Sequence, residues 1–131
     1  MSGRITLAVT AALLGAACGR VPGISRGDPP PAVAPDSVVV DVLNENYYAA
    51  RIHAVYGSGQ RHSLGTIAGN GGRTEAVLSW EPRALVFEVL LVTAGATYLT
   101  QPVDVAAGES IELRVPANIA ESGFFRRVRR N

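Results

Sequence analysis

The sequence predicts an all-β chain: one antiparallel β-sandwich of about seven short strands, set behind an export signal and a proline-rich linker. Two observations point there. From Ser37 onward, apolar and polar residues alternate with a period of two. The alternating runs are separated by turns rich in Gly, Asn and Pro, and this repeated succession of strand, turn and strand argues against a helical fold.

Val38, Val40 and Val42 share one face of a first strand, and Asn44-Glu45-Asn46 forms a turn. Tyr48, Ala50, Ile52, Ala54 and Tyr56 share one face of a second strand, with Arg51 and His53 on the other. Gly57-Ser58-Gly59-Gln60 closes a hairpin. Arg61 to Ile67 is the third strand. Leu64 and Ile67 have opposite parity, so Gly65 marks a bulge that returns both to the core. A loop, Ala68 to Gly72, leads to a fourth strand from Thr74 to Trp80, which Glu81-Pro82 ends. Ala84 to Thr93 is apolar on both faces apart from Glu88, so it belongs in the middle of a sheet. Tyr98 to Val105 follows, with Leu99, Val103 and Val105 inward and Pro102 marking an edge. Ile111, Leu113 and Val115 form the last strand, ended by Pro116.

This divides the 131 residues into a signal peptide (1–17), a cysteine with a proline-rich linker (18–36), the sandwich (37–117) and a basic tail (118–131). The apolar run Ile5 to Ala17 follows a single positive charge, Arg4. Its length suits a signal peptide's apolar region, about 7–15 residues, and is too short to span a bilayer, which takes about 20. The prolines after it (Pro22, Pro29, Pro30, Pro31 and Pro35) favour extended, solvated backbone, suited to a spacer.

All 12 basic residues are Arg. They are unevenly placed: Gly19 to Glu121 holds seven Arg against eleven acids, and Ser122 to Asn131 holds four Arg and no acid. Cys18 is the single cysteine, so no intramolecular disulfide supports the domain and its core rests on aliphatic packing.

Leu14-Gly15-Ala16-Ala17-Cys18 resembles the lipobox of bacterial lipoproteins, although Gly15 stands where that family usually has Leu, Val or Ile. The resemblance implies a diacylglyceryl group on the Cys18 sulfur, cleavage before it and a membrane-anchored cell-envelope protein. Gly19, in place of an inner-membrane-retaining Asp, favours the outer membrane, facing the periplasm or the surface. The alternative is an ordinary secretory signal cleaved near Ala17. The stretches Val38 to Asn44, Leu64 to Ile67 and Val103 to Glu109 also resemble small lipoproteins of uncharacterised function with an immunoglobulin-like or transthyretin-like domain. That likeness implies an accessory module and brings no catalytic residues.

Candidate chemistry is sparse. His53 and His62 are nearly equidistant from the hairpin turn, which suggests a cross-strand pair, but too few further ligands exist for a metal site. Asp41, Glu75, Glu88, Asp104 and Glu112 are the carboxylates available for acid–base work. Most sit at outward positions, and Glu88 on a central strand either has a raised pKa or pairs with an Arg. Gly108-Glu109-Ser110-Ile111-Glu112 lacks the closing Gly of a nucleophile elbow, and Gly69 to Arg73 precedes a strand, so no helix terminus is there for a phosphate. Trp80 is a core lid or a stacking platform.

In the tail, Phe124, Phe125, Arg126, Arg127, Arg129 and Arg130 interleave aromatics with cations, a composition that suits contact with anionic lipid, glycan or an envelope protein. Ala117 to Val128 suits either a helix formed on a surface or a solvated terminus. Export excludes nucleic acid as a partner. The expectation is a lipid-anchored, non-catalytic binding or structural module without metal or cofactor. The first alternative is a small carrier of an apolar ligand between the sheets; an enzyme comes third.

Overall fold

A computed structural model describes residues 34–129. The expected signal peptide (1–17), Cys18, the linker up to residue 33 and Arg130 lie outside the described residues.

Eight strands form two sheets with a shared apolar interior. They are β1 (Ser37–Asn44), β2 (Ala50–Val55), β3 (Arg61–Ile67), β4 (Gly72–Ser79), β5 (Val86–Leu91), β6 (Ala96–Thr100), β7 (Ser110–Val115) and β8 (Phe125–Arg127). One sheet has the order β4-β1-β7 and the other β3-β2-β5-β6-β8. Among the described residues no helix is long and apolar enough to cross a membrane.

The alternation places the core where the sequence puts it. Val38, Val40 and Val42 of β1 meet Ala50, Ile52 and Ala54 of β2 and Phe87 and Val89 of β5, all at 1% exposure or less. Each such aliphatic side chain contributes about 1.5–3 kcal/mol on burial, and this interior takes the place of a disulfide. The bulge falls where parity requires it. The β2–β3 register slips between Ile52 and His53, Leu64 is skipped, and Gly65 takes φ +99°. Leu64 and Ile67 are then both buried.

Four expectations need correction. First, the sandwich is not wholly antiparallel: β7 runs parallel to β1, Val39 opposite Ser110 through Asn44 opposite Val115. Reaching that position from β6 takes a connection that changes sheet, residues 101–109, and such a crossover permits parallel pairing. Second, β6 is not an edge. It ends at Thr100, before Pro102, and lies between β5 and β8. Its inward residues are Ala96, Tyr98 and Thr100, and Leu99 faces the other way. Third, among the described residues the basic tail is not a solvated end. A short 3₁₀ turn, Ile119–Glu121, buries Ile119, and β8 then joins β6 with Phe125 opposite Thr100. Fourth, Tyr48 precedes β2 and is partly exposed, because Asn46 holds its backbone N–H at 3.0 Å in a turn.

Candidate functional site

The two histidines do not pair. Val55 aligns with Arg61, which puts His62 opposite Ala54 and His53 opposite Ser63. Successive residues of a strand point to opposite faces, so the imidazoles lie on opposite sides of the sheet. His53 instead lies opposite Glu88 on β5, with Nδ1 3.9 Å from Oε1. Arg61 reaches across β2 to the same carboxylate oxygen, giving the ion pair that was one of the two readings for Glu88. Arg61 is half exposed, so the bridge contributes no more than about 1 kcal/mol. His53 Nδ1 is buried without a hydrogen-bond partner among the described residues.

Ser63, His53 and Glu88 thus occupy one row across three strands on the outer face of the five-stranded sheet. The residue types are those of a hydrolytic triad, and the geometry is not. Ser63 Oγ accepts the Gly65 N–H at 3.3 Å, and Glu88 is held by Arg61.

A second row crosses the outer face of the three-stranded sheet, where Glu75, Asp41 and Glu112 lie side by side. Like charges directly opposite each other cost about 0.2–1 kcal/mol per pair. The neighbouring row, Arg73, Leu43 and Arg114, offsets this: Arg73 is 3.8 Å from Asp41, and Arg114 is 2.9 Å from Glu112 and 3.6 Å from Glu45. Glu112 and Glu45 together hold the Arg114 guanidinium above its ordinary pKa. Among the described residues no group of three or more His, Cys, Asp or Glu is arranged to hold a metal ion.

The remaining motifs are structural. Trp80 packs against the core, and its indole N–H donates to the Val105 carbonyl at 2.8 Å. Asn44-Glu45-Asn46, read as a turn, holds two buried asparagines. Asn44 Nδ2 lies 2.9–3.2 Å from the carbonyls of Tyr48, Ile67 and Ala68, while its Oδ1 accepts the Asn46 N–H. Asn46 Nδ2 donates to Pro116 and Ala117. The amides of Asn70 and Gly71 in the glycine-rich loop donate to the carbonyls of Asn46 and Asn44, so they are not free for an anion.

That leaves the C-terminal strand. Phe125 is buried in the core, whereas Phe124 is 40% exposed and the two rings meet edge-on. Phe124 divides two clefts. One, about 510 Å³, is lined by Thr100, Gln101, Pro102, Gly123, Phe125 and Arg126. The other, about 440 Å³ and mostly apolar, is lined by Phe87, Val103, Ile111, Leu113 and the stems of Glu112 and Arg114. Arg126, Arg127 and Arg129 are exposed, and no described acid lies within salt-bridge distance of them. Arg127 also borders a shallow hollow of about 300 Å³ with Tyr47, Tyr48 and Asn118. Sequence reasoning found the cations; it missed the strand that holds them, because three residues carry too little alternation to be read.

No family model matches the chain, and no curated protein matches it significantly. Among solved structures it is similar to the protein from Eubacterium rectale determined by NMR, with 13% identity, a TM-score of 0.39, and coverage of 60% of this chain and 79% of that one.

Proposed function

We propose that the chain is a lipid-anchored module of the bacterial cell envelope that binds an anionic partner and catalyses no reaction. The observation that carries this reading is the C-terminal strand: Phe125 fixes it to the sheet while Arg126, on the outer face, and Arg127 and Arg129 are exposed without a described acidic partner. Uncompensated cations on a fixed frame attract anionic lipid, acidic glycan or an acidic protein surface. Diacylglycerol on Cys18, at about 0.8 kcal/mol for each buried CH₂, confines the module to the membrane, and the proline-rich segment sets its reach. The domain is then an accessory of immunoglobulin-like or transthyretin-like type, in the outer membrane.

Cross-linking in intact envelopes tests the contact. Removing the tail also removes Phe125 from the core, so the informative variant is Arg126→Ser/Arg127→Ser/Arg129→Ser. Its cross-linked partners are expected to disappear while the fold is retained. Unchanged partners would overturn the assignment to β8.

One observation favours the carrier as a second reading. The apolar cleft beside Phe124 has the volume of a small-ligand site, about 300–1,000 Å³. Saturable uptake of an apolar fluorophore, lost in Phe124→Ser, would support it.

A further inference from the structure

We infer that the free edge of β7 is a second binding site, and that it takes an extended segment of another polypeptide as an added fourth strand. The argument starts from the backbone. Val39 N–H donates to Glu109 and Glu45 N–H donates to Val115, so the odd-numbered residues of this stretch bond to β1. In a regular ladder the even-numbered ones then turn the other way. The N–H and C=O groups of Ser110, Glu112 and Arg114 point outward from the sheet edge, with no strand paired to them among the described residues. Alternating donors and acceptors at this spacing are matched by another extended backbone.

The cleft supplies the second half of the site. It runs along the same edge, and its walls are Phe87, Val103, Ile111, Leu113 and Phe124. A strand laid against β7 turns every second side chain into that cleft and the others to the outer face, beside Glu112 and Arg114. The partner is therefore apolar at alternate positions. Run antiparallel, it carries an acid opposite Arg114 and a base opposite Glu112. The other edges offer less: β3 is bulged at Gly65, β8 is three residues long with Arg at two of them, and β4, though eight residues long, lines none of the three clefts described above.

The occupant is not a second copy. The five-stranded sheet continues through β6 and β8 while the three-stranded sheet stops at β7, and Phe124, just before β8, walls the cleft. A lone strand fits there; a second sandwich brings its own β6 and β8 into the same space. The chain's Gly19–Asp36 segment lacks the alternation. This site uses the cleft of the carrier reading; with the anionic-partner reading it shares only the idea of a binding module, and it requires neither the lipid nor the arginines of β8.

The probe is the peptide acetyl-Val-Glu-Val-Lys-Val-Thr-amide, titrated into the isotope-labelled full chain with amide shifts as the readout. Saturable shifts at Ser110, Glu112 and Arg114 are expected. Exchanging the peptide's Glu and Lys weakens binding about tenfold, by mismatching two cross-strand pairs. N-methylating its Lys abolishes binding. Glu112→Pro also abolishes it, since proline on a free edge removes an outward N–H and no ladder bond. If Glu112→Pro unfolds, the N-methyl peptide decides. Absence of saturable shifts, indifference to N-methylation, or shifts confined to β3, β4 or β8 would overturn the proposal. So would self-association of the chain that Glu112→Pro eliminates.

Discussion

The asparagine corner at Asn44 and Asn46 and the C-terminal segment Phe124–Arg127 are both segments that sequence reasoning assigns to the periphery. Both belong to the frame, in opposite ways. At the corner the side-chain amides turn inward and are used up on the backbone of the β1–β2 connection, the end of β3 with the residue after it, and the two residues that follow β7. In β8 one ring turns inward, and the arginines remain free. The difference separates two uses of polar groups in so small a domain: buried ones with satisfied partners hold the fold, and uncompensated charges on an ordered strand are left to solvent or, under the proposed function, to a partner.

The sharpest way to break this comparison is within β8 itself. Phe125→Ala is expected to cost about 3 kcal/mol by denaturant unfolding, as for other buried aromatics, whereas Phe124→Ala should cost less than about 1 kcal/mol. Equal losses would mean that the two rings do not divide into core and surface roles. Next come the asparagines. Asn44→Ala leaves buried carbonyls without donors and should cost about 2–3 kcal/mol, with Asn46→Ala somewhat less. If both were silent, the corner would be an ordinary turn.

A smaller effect tests the sealed side through pH. Tyr56 O–H donates to the Ser79 carbonyl at 3.0 Å, and burial, with the nearby Glu81 charge, raises its pKa above the ordinary 10.0. The folded state thus favours the neutral phenol. This contribution is fully present below the unfolded pKa and is lost as pH rises through the folded value. Tyr56→Phe should flatten that alkaline decline while costing about 1 kcal/mol at neutral pH from the lost hydrogen bond. An unchanged alkaline decline would mean that Tyr56 is not its source.

The local frame was legible where side-chain parity is strict. The inward residues of β1, β2 and β5 and the bulge at Gly65 follow from a period of two, which one face of each strand must obey. What was not legible depends on contacts distant in sequence. The parallel β1–β7 pairing links residues some seventy positions apart, and no local pattern encodes it. β8 is built by β6, which supplies the ladder for three residues of weak preference. His53 and His62 show the same limit on a finer scale: a register one residue different from the symmetric guess sends them to opposite faces. Of the candidate surface residues, Phe124, Arg126, Arg127 and Arg129 are exposed, and Phe125 is committed to the core.

The proposed function depends on this sandwich being held at a membrane, and fractionation of envelopes from cells making the Cys18→Ser chain tests that most directly. The account predicts that the native chain sediments with the membranes and that the variant is recovered in the soluble fraction. A variant that sediments as completely as the native chain would contradict it.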